Sequence, residues 1–232
     1  MQVVTVRQTS ATRTSSNQTV AKAGQKGPQR DDPAVMISTQ PRSGLDAIAG
    51  QVRDVESKGL PPVHLWDPPF CGDLDMRIAA DGTWFYLNSP IGRASLVKLF
   101  ASVLKREGDK YFLVTPVEKC GILVDDAPFT AVELRAERGW PGQILHFRSN
   151  VDDWITCGED HALRFELQRA TGGLKPYLHV RRNLWALVTR SLFYDLVELG
   201  EQRDVHGQRM FGVVSAGRFF AMAPAHCMED LA

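Results

Sequence analysis

The stretch 73–87 constrains the fold more than any other part of the chain. It reads DLDMRIAADGTWFYL, in which Leu74, Met76 and Ile78 alternate with polar residues. A period of two indicates a β-strand with one apolar and one polar face, and Asp-Gly is a favoured two-residue hairpin turn. The sequence therefore predicts a β-hairpin that turns at residues 81–82.

A two-residue turn fixes which side chains share a face of this hairpin. In that register Ile78 pairs with Phe85 and both join the apolar face, since paired residues lie on the same side of a sheet. Arg77 pairs with Tyr86, and Trp84 lies beside Tyr86 on the polar face. Flat rings next to a guanidinium suit stacking on a flat ligand and pairing with a phosphate. The polar face is therefore a candidate binding surface.

The motif SPIGR, which follows the hairpin, is typical of a helix start. Ser89 would be the N-cap, with Pro90 at the first helical position. Arg93 would then lie in the first turn, where a cation opposes the helix dipole and free amides favour an anion. We expect Arg93 either to pair with a local acid or to bind an anionic ligand.

These patterns favour a ligand-binding surface over a catalytic centre. The leading hypothesis from these residues is a non-enzymatic protein that binds a small anionic ligand with a flat ring, as a nucleotide has. Taken singly, each residue also fits the solvent-exposed face of a strand with an internal Asp–Arg pair. The candidate ligand-binding residues are Asp73, Asp75, Arg77, Trp84, Tyr86, Arg93, Glu118 and Lys119.

Two other functions stay open. In a metal-dependent enzyme acting on a phosphorylated substrate, Asp73 and Asp75 would bind Mg²⁺ together with one further carboxylate. The candidates for that third ligand are Glu118, Asp125 and Asp126. A protein-interaction module would instead show an exposed apolar patch on the C-terminal lobe and no ligand-sized cavity between the lobes. The chain has no GxSxG, Walker or HExxH motif, so it indicates no cofactor, metal site or reaction.

Charge and cysteine usage narrow the class of protein further. The chain has 27 Lys and Arg against 27 Asp and Glu, a balance that disfavours a generic nucleic-acid binder. The four cysteines show neither CxxC nor zinc-site spacing, and we expect reduced thiols in a cytoplasmic protein. No apolar run is long enough to span a membrane, and the N-terminus lacks the apolar core of a signal peptide. The oligomeric state stays open.

Composition predicts how the chain is divided. Residues 1–42 are rich in Thr, Gln and Ser and have too few large apolar side chains to offset the entropy of folding, so we expect a disordered tail. Apolar residues at helical spacing predict a leading helix over residues 43–59. An N-terminal lobe over 60–134, a C-terminal lobe over 135–224 and a loose C-terminus over 225–232 are expected to follow.

A weak internal repeat suggests that the two lobes are related. Tyr86-Leu87 recurs 91 residues later as Tyr177-Leu178, and a second dipeptide pair has the same spacing. Both copies fall in the same predicted order of strand, link, helix, glycine and strand. The expected fold class is α+β, with two related lobes that each hold a mostly antiparallel sheet and a packed helix. A ligand would bind most naturally between them.

Long motifs carry a resemblance to a known family. The string PPVHLWDPPFCGDLDMRIAADGTWFY, followed by SPIGR, LVTPVEKCGI and DDAPF, closely resembles the bacterial domain-of-unknown-function family 1285, from about Ala47 to Met222. The resemblance implies a duplicated two-lobe fold whose C-terminal lobe is similar to pleckstrin-homology-like barrels. It also implies a nucleotide-type ligand between the lobes and a role in signalling. The chain departs from the family pattern at Trp185, where a Glu is expected.

Overall fold

The computed structural model describes residues 49–50, 60–139, 142–168 and 171–229. The predicted tail lies outside these residues, as does the leading helix apart from Ala49 and Gly50, which are helical. The described residues are mostly β-sheet and form two six-stranded sheets, one three-stranded sheet and two helices of nine residues each. No helix within the described ranges is long and apolar enough to cross a membrane.

The first sheet holds the predicted hairpin at its centre. Its strands run in the order β3-β2-β1-β6-β5-β4, and β1 and β6 are parallel whereas the other neighbours are antiparallel. A short 3-10 turn, Val63–Leu65, precedes the sheet, and helix α1 (Ala94–Ser102) connects β3 to β4. The strands are β1 (Phe70–Ile78), β2 (Trp84–Tyr86), β3 (Ser89–Pro90), β4 (Leu104–Glu107), β5 (Lys110–Val114) and β6 (Lys119–Val124).

The second sheet repeats this topology. Its order is β9-β8-β7-β12-β11-β10, and its central pair, β7 and β12, is again parallel. Each strand therefore occupies the place of the strand six earlier in the chain. The strands are β7 (Phe129–Gly139), β8 (Gly142–Ser149), β9 (Trp154–Thr156), β10 (Leu163–Leu167), β11 (Leu174–Arg181) and β12 (Leu184–Val188).

The spacing of the structural repeat is shorter than the dipeptide matches predict. β7 begins at residue 129 and β1 at residue 70, so that the copies are 59 residues apart at this point. Tyr86 lies in β2 and Tyr177 in β11, which are not equivalent strands. The prediction of related lobes therefore agrees with the topology, whereas the 91-residue alignment is wrong.

A helix and a third sheet complete the C-terminal part. Helix α2 (Arg190–Glu198) packs on β7 and on a three-stranded meander through the buried Leu192 and Leu196. The first six-stranded sheet ends at Val124 and the second begins at Phe129. The predicted lobe boundary after residue 134 therefore falls inside β7. The remaining elements are β13 (Glu201–Val205), β14 (Gln208–Ser215), β15 (Arg218–Pro224) and a last turn of helix, α3 (His226–Glu229).

One hydrophobic cluster joins the two lobes. Trp84 and Phe100 from the first lobe and Phe129 and Phe147 from the second are all at most 1% exposed and belong to the same cluster. Burial of apolar surface at about 25 cal/mol per Å² is the main force that holds such elements together. The lobes are therefore related in topology but share a core.

The hairpin register differs by one residue from the predicted one. Ile78 pairs with Trp84 and Arg77 with Phe85, because the loop holds three residues, 80–82, rather than two. The amide of Ala79 donates to the carbonyl of Thr83 at 2.9 Å, and Gly82 takes a φ of +85°, a backbone conformation that glycine adopts without steric cost. A slip of one residue moves every side chain of a strand to the opposite face. Trp84 consequently joins the core.

Helix α1 begins later than the SPIGR motif predicts. Ser89 and Pro90 pair with β2 as a short strand, and the helix begins only after Arg93, whose extended backbone forms the N-cap. At the other end the chain leaves the helix at Val103 and enters β4. Arg93 is therefore exposed at the helix start, without a side-chain capping bond.

Candidate functional site

Asp73, Asp75 and Arg77 lie along the outer face of β1. The guanidinium of Arg77 donates to a carboxylate oxygen of Asp125 at 2.6 Å and lies 5.0 Å from the ring centre of Phe85. Both partners of the ion pair are more than a third exposed. Arg77 is therefore engaged by a carboxylate of its own lobe.

Trp84 and Tyr86 do not form the predicted stacking surface. Trp84 is 1% exposed and its ring is 6.3 Å from that of Phe100, at an interplanar angle of 25°. Tyr86 is half-buried and shares a surface depression of about 320 Å³ with Arg93 and Gly92. The structure thus brings Tyr86 and Arg93 together and removes Trp84 from any ligand-binding surface.

Glu118 and Lys119 lie at the turn between β5 and β6. The ammonium of Lys119 is 3.1 Å from a carboxylate oxygen of Glu107 and 5.2 Å from the ring centre of Phe112. The carbonyl of Glu118 accepts a hydrogen bond from the amide of Thr115. The predicted residues are thus divided among different places on the first lobe. Asp73 and Asp75 line one surface depression, Tyr86 and Arg93 line another, and Glu118 and Lys119 lie at the turn between β5 and β6.

A different cluster fills the cleft between the lobes. Asp126 lies in the segment that joins the two sheets, and one of its carboxylate oxygens accepts a hydrogen bond from the hydroxyl of Tyr177 at 2.7 Å. The other accepts from the ammonium of Lys175 at 2.6 Å. Side-chain exposure is only 13% for Asp126 and 33% for Lys175. A carboxylate that receives two such donors holds the linking segment against β11.

Arg164 provides the cationic wall of this cleft. Its guanidinium lies 4.1 Å from the ring centre of Trp185 and 5.1 Å from that of Tyr177. The pairing of β10 with β11 sets Arg164 opposite Tyr177 and Glu166 opposite Lys175, and paired residues share a face. The carboxylate of Glu166, whose side chain is 52% exposed, is 3.1 Å from the guanidinium.

The first lobe closes the other side of the cleft. Arg106 in β4 lies 5.4 Å from the ring centre of Tyr111 and donates to the carbonyl of Gly108 and to the fully exposed Asp109. The resulting cavity has a volume of about 130 Å³. Its walls are Arg106, Tyr111, Asp126, Ala127, Arg164, Glu166, Tyr177 and Trp185.

The cleft keeps its two phenols neutral. Burial raises the pKa of Tyr177, and the hydrogen bond to the Asp126 carboxylate raises it further, because that bond stabilises the protonated phenol. Burial also raises the pKa of Tyr111. At neutral pH both hydroxyls therefore carry their protons, and Tyr177 acts as a donor.

Contacts on the far side of the junction fix the cleft geometry. The carbonyl of Gly82, at the tip of the hairpin, accepts a hydrogen bond from the side-chain amide of Asn150 at 3.3 Å. A Cβ added to Gly82 would lie 2.8 Å from that same amide, which leaves room only for glycine. Arg181 donates to the carbonyl of Ala101 at the end of α1, at 2.7 Å. The hairpin thus helps to hold the lobes together.

The sequence pattern does not single out the cleft residues. The pattern indicates only which side chains share a face of a strand. In the string RFE of β10 these are Arg164 and Glu166, and in the string KPY of β11 they are Lys175 and Tyr177. The contacts of Lys175 and Tyr177 with Asp126 span about 50 residues of chain. Only the sheet register and the docking of the lobes bring them together.

The carboxylates of the metal-dependent alternative are held apart. Asp125 pairs with Arg77, whereas Asp126 pairs with Lys175 and Tyr177. Among the residues that the structure describes, no group of three His, Cys, Asp or Glu side chains could hold a metal ion.

The fold and the cleft define a duplicated two-sheet protein whose sheets meet at a polar, aromatic junction. Two family models match the chain: the N-terminal domain of DUF1285, a domain of unknown function, over residues 61–127, and the C-terminal domain of the same family over residues 128–222. The chain belongs to the DUF1285 family. The models meet at the change-over between the two sheets.

Two solved structures are similar to this chain. A DUF1285 family protein from Silicibacter pomeroyi DSS-3 is 48% identical with a TM-score of 0.71, and the match covers 78% of this chain and 97% of that one. A DUF1285 family protein from Shewanella baltica OS155 is 32% identical with a TM-score of 0.43, over 54% of this chain and 91% of that one. No curated protein matches the chain.

Proposed function

We propose that the protein is a non-enzymatic ligand-binding protein that recognises a small anionic ligand in the cleft between its lobes. The observation that carries this proposal is the environment of Arg164. Its guanidinium lies near the rings of Trp185 and Tyr177, and its one carboxylate partner within the described residues is the half-exposed Glu166. A guanidinium fixed by aromatic rings presents its N–H groups in a planar fork that matches phosphate and carboxylate.

An incoming anion would compete with weak partners. Glu166 and Asp109, which pair with Arg164 and Arg106, are 52% and 102% exposed, and an exposed ion pair contributes about 0–1 kcal/mol. A hydrogen bond to a charged group contributes about 1.5–3 kcal/mol. These exposed carboxylates therefore resist displacement by a bidentate ligand anion only weakly, whereas the more buried Asp126 keeps Lys175 and Tyr177 in place.

The size of the cavity limits what enters it. At about 130 Å³ it is smaller than the roughly 300–1,000 Å³ of sites that enclose a whole drug-sized ligand. The cleft would hold the anionic group and leave a flat ring to stack at its mouth, where Tyr111 and Trp185 present aromatic surface. A nucleotide-like ligand has both parts.

The same cleft supports a role in signalling. A ligand shifts an equilibrium between two conformations by the difference in its affinity for them. A ligand that contacts Arg106 from one lobe and Arg164 from the other would therefore stabilise one arrangement of the two sheets. We also propose that the C-terminal lobe is similar to pleckstrin-homology-like barrels.

Isothermal titration calorimetry with inorganic pyrophosphate and with a nucleotide panel tests the proposal. We expect saturable binding that weakens at least about tenfold in Arg164→Gln, since a charge-assisted bidentate contact is lost. Arg135→Gln is the matched control, because Arg135 also stacks on a tryptophan, Trp154 at 4.3 Å, and pairs with Glu133, but lies outside the cleft. Absence of binding by every anion, or equal losses in the two variants, would refute the proposal.

A further inference from the structure

A second cavity lies in the C-terminal lobe, outside the cleft. It has a volume of about 470 Å³, within the roughly 300–1,000 Å³ range of small-molecule sites. It is formed where the β10–β11 hairpin, the end of β12 and the first turns of α2 meet. Six of its walls are apolar or aromatic: Leu174, Pro176, Leu187, Val188, Phe193 and Tyr194.

The charged groups of this cavity are all cations. Among the described residues that line it, Lys175 and Arg190 are the charged ones, and the polar remainder are Gln168 and Thr171. Lys175 already pairs with Asp126. Arg190 has no carboxylate at ion-pair distance in the described part of the chain; instead its Nε and Nη2 donate to the neutral hydroxyl of Tyr194 at 3.1 and 3.0 Å.

The helix start beside Arg190 lacks negative charge. Helix α2 has no acidic residue in its first turn, and the side chain of its N-cap, Thr189, makes no capping hydrogen bond. Arg190 itself is the first helical residue, where a cation opposes the positive end of the helix dipole. An anion close to Arg190 would offset both features.

We propose that this cavity binds an amphipathic anion, with an apolar body against Leu187 and Phe193 and a carboxylate or similar group at Arg190. The apolar walls would hold a hydrocarbon chain or a ring system, because burial of apolar surface drives its transfer from water. Arg190 selects the charge of the head group and disfavours a cationic amphiphile, since the ammonium of Lys175 is already paired with Asp126. This site is separate from the cleft and does not depend on ligand binding there.

Calorimetric titration of the full chain with decanoate tests this site, with 1-decanol and decyltrimethylammonium as neutral and cationic counterparts. We expect saturable decanoate binding, at least about tenfold weaker binding of 1-decanol, and no binding of the cation. In Arg190→Gln the affinity for decanoate should fall at least about tenfold, towards that of 1-decanol. Arg190 is exposed, so the variant should fold as the wild type does.

Two control variants separate this site from other causes. Arg218→Gln removes another exposed arginine, which pairs with Glu159, and Arg164→Gln disables the cleft; both should bind decanoate as tightly as the wild type. Absence of saturable decanoate binding would overturn the proposal. So would equal affinity for decanoate and 1-decanol, or a loss in Arg218→Gln as large as that in Arg190→Gln.

Discussion

Replacement of Asp126 by Asn tests whether the cleft network stabilises the protein. The carboxylate accepts from Tyr177 and Lys175 at 2.7 and 2.6 Å. An amide oxygen can still accept from Lys175 while the amide nitrogen donates to the hydroxyl of Tyr177, but Lys175 loses its counter-charge. Because Asp126 is 13% exposed, the cost lies between the about 0–1 kcal/mol of surface pairs and the about 3–5 kcal/mol of fully buried ones. We expect Asp126→Asn to lower the free energy of unfolding by about 2 kcal/mol.

Urea denaturation at pH 7 measures this change, and a thermal midpoint should fall by about 4–8 °C. Tyr177→Phe should cost about 1 kcal/mol, and the double variant should be less destabilised than the sum of the single variants by at least about 0.5 kcal/mol. Asp109→Asn, at a fully exposed carboxylate, is the control and should change stability by less than about 0.5 kcal/mol. Additive effects of Asp126→Asn and Tyr177→Phe would refute the network.

Two further predictions concern stability. Trp84→Ala should lower the free energy of unfolding by about 3–5 kcal/mol, because Trp84 is in the core. Phe85→Ala should lower it by about 1.5 kcal/mol or less, because Phe85 lies under Arg77. A larger loss for Phe85→Ala than for Trp84→Ala in chemical denaturation would favour the other hairpin register. Hydrogen bonds from the side chains of Lys105 and Lys119 lower the pKa of Glu107 below its ordinary value. Ionised Glu107 therefore stabilises the folded protein above about pH 4.3. This stabilisation disappears as the pH falls through the pKa that Glu107 has in the folded protein. The difference in melting temperature between wild type and Glu107→Gln should therefore shrink from pH 7 towards pH 3, and a constant difference would contradict this reasoning.

The hairpin shows how far a local pattern predicts structure. Alternation and Asp-Gly predict two antiparallel strands at the correct place, and β1 and β2 are there. The loop length is decided elsewhere: Gly82 packs against Asn150 and Thr130 of the second lobe, contacts that no local pattern encodes. That single extra loop residue reverses the roles of Trp84 and Phe85.

The candidate site shows the limit more clearly. Charge and ring chemistry from the sequence predict arginine beside aromatic side chains between two lobes, and Arg164 beside Trp185 has that chemistry. The residues differ from the predicted ones because the cleft is formed by β4, β5, β10–β12 and the linking segment, which only the sheet register and the docking of the lobes bring together. Trp185 forms one wall of the cleft.

The indole N–H resonance of Trp185 in a titration with inorganic pyrophosphate tests ligand binding in the cleft most directly. The resonance is assigned from its absence in Trp185→Phe, and that of Trp154 from its absence in Trp154→Phe. We predict that the Trp185 resonance shifts and saturates with the same dissociation constant as calorimetry gives, while that of Trp154 beside Arg135 stays in place. Equal shifts of both resonances, or a stationary Trp185 resonance while calorimetry reports binding, would contradict the cleft as the site.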